Sequence, residues 1–182
     1  MNIVRAPLRI TLGGGGTDLP GWYKENGGFL ISAAINKYIY LTGSRRDFDN
    51  KLWLSYSQVE ICDSVDQITH KIFAQCLEKY DISRGIEIHS ISELPGGSGL
   101  GSSGTFTVSL LRLLNIMQRR DMTMKELAEL AASIEMVELG RSCGKQDQYI
   151  AVYGGVITLD ISKNGDVNVE VLDLDSITLE GL

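Results

Sequence analysis

Three loops concentrate the residues able to do chemistry. The densest is PGGSGLGSSG, Pro95 to Gly104, in which Gly96, Gly97, Gly99, Gly101 and Gly104 fall within nine residues. Glycine lets successive backbone N–H groups turn toward one point without side-chain obstruction. The helical pattern that begins near Ser102 adds unpaired N–H groups and the positive end of a helix dipole. Together these make a cradle for phosphate. Ser102 and Ser103 are placed to cap that helix, to bind a phosphate oxygen or to ligate magnesium. A single serine cap accounts for Ser102 but not for five glycines, so the phosphate reading is favoured. The string Gly99-Leu-Gly101-Ser-Ser-Gly104 also has the dinucleotide-binding form. However, Glu93-Leu94-Pro95 separate it from the preceding strand, and helical patterns follow where a second strand ending in an acid is required. A Walker A loop is absent, because Gly144-Lys145 is followed by Gln146.

The second loop is GGGGTDLP, Gly13 to Pro20, and contains Gly15, Gly16, Thr17 and Asp18. Two readings of Asp18 stand side by side: the cap of a short helix opening at Leu19-Pro20, or a carboxylate that accepts from two neighbouring hydroxyls of a polyol. The third loop is RSCGKQDQ, Arg141 to Gln148, with Lys145 and Asp147 at the start of a short helix. Asp147 is either a first-turn acid that complements the dipole or a general base whose ionised form nearby cations stabilise. Glu135 lies 12 residues earlier, and alone it reads as a solvated side chain.

These loops are punctuation between regular elements. Ile3–Leu12 reads as extended and is stopped by the four glycines. Gly28–Gly43 is one long strand or two short ones. Leu52–Tyr56 and Gln58–Cys62 form a hairpin, and Gly85–Ile91 is a strand. Ser64-x-x-Gln67 predicts a capping box opening a helix through Val65, Ile68, Ile72, Cys76 and Tyr80. Phe106, Leu110, Leu113, Leu114 and Met117 make a helical stripe after the glycine loop. Thr123-x-x-Glu126 predicts a second capping box, with Leu127, Leu130, Ala131, Ile134 and Val137 facing inward. Lys145–Tyr153 is a short helix, and Asn164-Gly165 joins two strands, Val156–Asp160 and Val167–Leu172, in a hairpin. The fold class is α+β with a mixed or mostly antiparallel sheet.

Composition narrows the partners. The chain has 182 residues, 17 Lys plus Arg, 23 Asp plus Glu, and a formal net charge of −6. Nucleic acid and anionic membrane surfaces are held by cationic excess, so neither is expected as a partner. Three widely spaced cysteines without a C-x-x-C point to neither a disulfide framework nor a thiolate zinc site, and to the reducing cytoplasm. The two histidines, His70 and His89, fall on helix and strand patterns and read as surface or satisfied side chains.

Pro95-x-x-x-Gly99-Leu100-Gly101-Ser102-Ser103 resembles the second motif of the GHMP kinases, the superfamily of galactokinase, homoserine kinase and mevalonate kinase. Pro7-x-Arg9 followed nine residues later by Asp18 resembles the family's N-terminal sugar-binding motif, and the 12-residue step from Glu135 to Asp147 fits the galactokinase pattern. The resemblance runs from Arg5 to about Asp160 and implies a two-layer α+β domain. Its sheet would be mixed and mostly antiparallel with helices on one face, a ribosomal-protein-like βαβ topology. It implies an ATP- and magnesium-dependent kinase acting on a small-molecule sugar or sugar phosphate. ATP phosphates would lie on Pro95, Gly96, Gly97, Ser98, Gly99, Leu100, Gly101, Ser102 and Ser103. Magnesium would lie on Ser103 and Glu135, and the substrate on Gly15, Gly16, Thr17 and Asp18. The catalytic set would be Asp147, Arg9 and Lys145.

LGGGGTDLPGWY paired with GKQDQYIAVYGG is most similar to the D-glycero-D-manno-heptose 7-phosphate kinase branch. Gly15-Gly16 stand where galactokinases carry Glu-His. A substrate phosphate would need cations, for which Arg45, Arg46, Lys37 and Lys24 are candidates. Residues 1–182 would be the N-terminal domain. The family's third glycine-rich motif is not recognisable after Asp160, so a C-terminal half, or a homodimer partner, is expected to complete the site.

Overall fold

The computed structural model describes residues 1–175; the stretch 178–182, where a second domain was expected to begin, lies outside the described residues. Two long strands organise the sheet, β1 (Asn2–Gly13) and β2 (Gly28–Arg45). β2 is one continuous strand. On one edge it pairs antiparallel with β1 along almost its whole length. On the other it pairs antiparallel with β5 (Ile86–Ser92) through Ile39–Arg45 and with β6 (Val156–Ile161) through Gly28–Ala33. The hairpin of β3 (Leu52–Ser55) and β4 (Val59–Cys62) joins β5 through a parallel β3–β5 ladder, and β7 (Val167–Leu172) closes the far edge against β6. The sheet is therefore mixed and mostly antiparallel, as expected.

Alternation along the strands gives two unlike faces. Val4, Leu30 and Ile88 are buried, whereas Ile3, Phe29 and Ile91 are exposed. The buried face is covered by helices. α3 (Ser102–Gln118) is buried on nearly every side, as its apolar composition requires of a central helix. Around it lie α2 (Lys71–Lys79), α4 (Met124–Ser133) and α5 (Gln146–Tyr153), and a short α1 (Pro20–Asn26) precedes β2. No helix among the described residues is long and apolar enough to cross a membrane.

Two helix starts differ in character. Thr123 forms the expected capping box with Glu126. The helix expected from Ser64 instead breaks into a 3₁₀ turn, Val65–Gln67, and a separate α2. The Gln67 side chain accepts from the Asp63 N–H, so it is not available to close a box on Ser64. His70 caps α2 through Nδ1, which accepts from the Phe73 N–H at 3.3 Å. Burial lowers the pKa of His70, which suits this neutral acceptor role.

α4 runs on into a π-helical turn, Ile134–Glu138. The wider turn rotates the following residues, and Val137, expected to face inward, is 76% exposed.

Lys145 corrects an expectation. Its ammonium donates to both Glu129 oxygens at 2.8 Å and to the Gly165 carbonyl at 2.7 Å. It thus ties α4 and the β6–β7 turn to the start of α5 and is turned away from the phosphate loop. We expect Lys145→Met to lower stability by about 1–2 kcal/mol, with the partial exposure of Glu129 limiting the loss. Urea unfolding is the measurement, and an unchanged midpoint and slope would show that this tie carries no stability.

Candidate active site

β1 changes face in mid-strand. Val4, Ala6 and Leu8 point into the core, and simple alternation would send Arg9 and Thr11 to the opposite face. The register instead shifts between Pro7, opposite Tyr38, and Arg9, opposite Ala34. The extra residues belong to β2, where Ile35–Lys37 face Leu8 alone, and beyond this bulge Arg9 and Thr11 meet α5. Thr11 Oγ1 hydrogen-bonds the Gln146 side chain, and Arg9 reaches Asp147.

Arg9 donates to Asp147 Oδ1 through Nε at 2.7 Å, and its Nη2 lies 2.6 Å from the same oxygen. Its Nη1 donates to the Gly99 carbonyl at 2.8 Å, and its backbone N–H to the Leu100 carbonyl at 3.1 Å. One arginine therefore fixes both the acid and the glycine loop. The Asp147 pKa is raised: burial outweighs the guanidinium, and Asp18 and Glu135 push in the same direction as burial.

The loop glycines divide by purpose. Gly97, Gly99 and Gly101 have φ of +78°, +75° and +79°, the left-handed region that favours glycine. A Cβ on Gly104 would stand 2.5 Å from Asp147 Cβ, and one on Gly101 would stand 3.1 Å from Asp147 Cγ. Those two glycines let α3 start hard against the acid. Gly96 and Gly97 instead line a groove of about 310 Å³ with Ser102, Ser103, Phe106, Tyr56, His70 and Arg141. The N-cap of α3 is Gly101, not a serine. The Ser102 hydroxyl is buried without a protein partner, which fits a ligand oxygen.

Glu135, read from sequence as solvated, is 1% exposed. It falls on the core-facing stripe with Ala128, Ala131 and Ala132, which are small enough to admit a carboxylate beside α3. Oε1 accepts from Thr107 Oγ1 and Gln148 Nε2, both at 3.0 Å, while Oε2 accepts from Ser103 Oγ and from Arg141 Nη1. A hydroxyl and a carboxylate suit a hard cation such as magnesium, which is commonly held by one or two carboxylates together with phosphate and water. Among the described residues no group of three or more His, Cys, Asp or Glu forms a protein-only cage. The donor set present fits a nucleotide-borne ion.

The substrate-loop residues are used differently from one another. Asp18 does not cap α1, whose N-cap is Leu19. It is 5% exposed, and Oδ2 accepts from the Gln146 N–H at 3.0 Å, so it caps α5 and sets Asp147. Gly144 permits this approach, since a Cβ there would lie 1.9 Å from that oxygen. The Thr17 hydroxyl is spent on the Gly14 carbonyl and on both the N–H and carbonyl of Phe29, so it clasps the loop to β2. Gly16 faces open space with φ of +89°.

Among the candidate cations, Arg46 is committed to Asp49 and Glu87. Arg45 sits 11 residues along β2 from Ala34, the partner of Arg9, which is roughly 35 Å of strand. Lys145 does not join the site, for the reason given above. Arg141, Thr107 and Gln148 join it without having been selected from the sequence.

Known proteins resemble this chain in sequence and in fold. Residues 67–155 match the family model for the GHMP kinases N terminal domain. Over 182 aligned residues the chain is 31% identical to the D-glycero-alpha-D-manno-heptose 7-phosphate kinase of Campylobacter jejuni, covering 92% of this chain and 53% of that protein. It is 29% identical over 164 residues to a galactokinase of Roseiflexus, covering 84% of this chain and 40% of that one. The chain thus spans about half the length of the curated relatives it matches. The solved structure of a D-glycero-D-manno-heptose 1-phosphate kinase from Bacteroides thetaiotaomicron superposes with a TM-score of 0.90 at 27% identity, over 98% of this chain and 62% of that one. Lactococcus lactis galactokinase, solved with galactose, shares the fold at a TM-score of 0.73 and 22% identity, over 95% of this chain and 47% of its own. The chain belongs to the GHMP kinases and carries their N-terminal domain.

Proposed function

We propose that this chain is the N-terminal, acceptor- and phosphate-binding domain of an ATP-dependent sugar kinase, and that a C-terminal domain completes its site. The proposed acceptor is D-glycero-D-manno-heptose 7-phosphate, phosphorylated at its anomeric hydroxyl. The observation that carries the reading is the Arg9–Asp147 pair built into the glycine loop, because it sets a carboxylate of raised pKa beside a phosphate cradle. Heptose is favoured over galactose by the 31% identity to the heptose kinase and by Gly15-Gly16, where galactokinases carry Glu-His. At Gly16 the positive φ would strain such a side chain.

Phosphoryl transfer is mostly positioning and charge stabilisation. Asp147 orients the acceptor hydroxyl and takes its proton. Arg9 holds the carboxylate in place and offsets charge at the transferring group. Asp18 sets the start of α5 and accepts from substrate hydroxyls with its remaining lone pairs. Ser103 and Glu135 would hold magnesium, which when bound neutralises phosphate charge. The loop amides and the free Ser102 hydroxyl would bind phosphate oxygens.

The reading is tested by ADP release from the complete polypeptide with heptose 7-phosphate, galactose and no sugar. Turnover only with the heptose phosphate is the expected result. Galactose as the better acceptor by kcat/KM would reassign the substrate, and no stimulation by either sugar would remove the kinase reading. Asp147→Asn should lose roughly 10²–10⁴ in kcat, the range of a lost general base, with ATP affinity little changed; full turnover in that variant would defeat the assignment.

The pH profile carries a sign. Asp147 works ionised, so kcat/KM should fall on acidification, with a limb above the ordinary aspartate range. Arg9 lowers this pKa, so Arg9→Gln should move the limb to higher pH. A limb that stays in place would mean that another group titrates.

A further inference from the structure

The position assigned to magnesium already holds a cation of the protein. Arg141 Nη1 lies 2.5 Å from Ser103 Oγ and 3.1 Å from Glu135 Oε2. Ser103 in turn donates to that same Oε2. A guanidinium has no acceptor, so both of its contacts are donations. The other Glu135 oxygen is engaged by Thr107 and Gln148. Oε2 and Ser103 Oγ are therefore the oxygens turned toward a cation, and Arg141 occupies both.

The two partners differ in freedom. The Glu135 side chain is 2% exposed and held by four donors, whereas the Arg141 side chain is 40% exposed. The Arg141 backbone N–H bonds the Glu135 carbonyl at 2.9 Å, so its Cα is anchored while its head can swing. A buried carboxylate without a counter-charge is costly. One cation or another is needed at Oε2 at all times, and a divalent ion cannot share these two atoms with a guanidinium.

We propose that Arg141 is the resident cation of this position. It neutralises Glu135 until a divalent ion arrives, and the ion binds by displacing it. The proposal rests on the kinase reading of the site. The fold also supplies a place for the displaced group. Arg141 borders both the groove of Gly96, Gly97 and Ser102 and a second hollow of about 350 Å³ beside Leu19–Gly21 and Cys143. There its planar fork stands between the phosphate loop and the substrate loop, and it is suited to bidentate contact with phosphoryl oxygens. Arg141 is thus a positioning residue in the metal-free state and a phosphate donor in the loaded one.

The test needs no turnover. Mn²⁺ alone is titrated into the 182-residue chain without nucleotide and followed by the loss of its free-ion electron paramagnetic resonance signal. The parent is compared with Arg141→Gln and Arg141→Lys, and folding is checked by circular dichroism. Arg141→Gln should bind Mn²⁺ roughly tenfold or more tightly than the parent, as expected for losing a competing charged hydrogen-bond pair. Arg141→Lys should fall between the two. Adding Glu135→Gln to Arg141→Gln should abolish the gain. Equal affinity in all three proteins, with binding that still depends on Glu135, overturns the role of Arg141 and leaves the kinase reading standing. Binding insensitive to Glu135→Gln overturns this proposal together with the metal position of the kinase reading, whereas no binding in any protein overturns displacement of Arg141 by a free ion and leaves a nucleotide-borne metal at that position standing.

Discussion

Arg9 and Asp147 are 138 residues apart in the chain and meet through two guanidinium nitrogens on one carboxylate oxygen, with side chains 15% and 25% exposed. Removing either partner of such an enclosed pair strands the other, at a cost that reaches about 3–5 kcal/mol in a fully buried setting. Much of the local backbone is shaped around this contact. The bulge in β2 opposite Leu8 lies where Arg9 leaves the regular ladder. Gly101 and Gly104 clear space for Asp147, and Gly144 lets Asp18 cap the helix that carries it. The glycine loop is fastened to the same arginine by two carbonyls, so the acid and the loop keep one fixed relation.

Much of this was legible in the residues because it follows from local rules. The Thr123 capping box, the Asn164-Gly165 hairpin and the extended runs of β1 and β2 each depend on chemistry within a few positions. The turning of the glycine loop was legible for the same reason, since Gly97, Gly99 and Gly101 take the positive φ that glycine allows. What failed depended on contacts remote in sequence. Lys145 sits two residues from Asp147, but its ammonium answers to Glu129 and Gly165 across the fold. Thr17 lies beside Asp18, but its hydroxyl is consumed by Phe29.

Glu135 and Arg141 were hidden by a geometric change. Six positions apart, they do not face each other on an α-helix, where neighbours are three and four apart. The π turn at Ile134–Glu138 and the turn after it fold Arg141 back, so that its N–H meets the Glu135 carbonyl. Nothing in the 3.6-residue periodicity announces that insertion. The small residues Ala128, Ala131 and Ala132 on the same stripe were the available signal that an acid at 135 had a buried place to go.

The electrostatics of the site explain why glycine, and not lysine, dominates it. Asp18, Glu135 and Asp147 converge where Arg9 and Arg141 are the facing cations, within a chain of net charge −6. Both arginines are engaged by those acids, and Lys145 is turned away. On the proposed kinase reading, a polyphosphate brought here meets three carboxylates against two arginines. Its attraction must come from groups that add positive potential without a fixed charge. The backbone amides of a glycine loop at a helix start supply part of that. The remainder has to travel with the ligand as a cation. Arg141 on the metal position is consistent with that economy of charge, because exchanging a monovalent group for a divalent ion supplies the extra charge when the phosphates arrive.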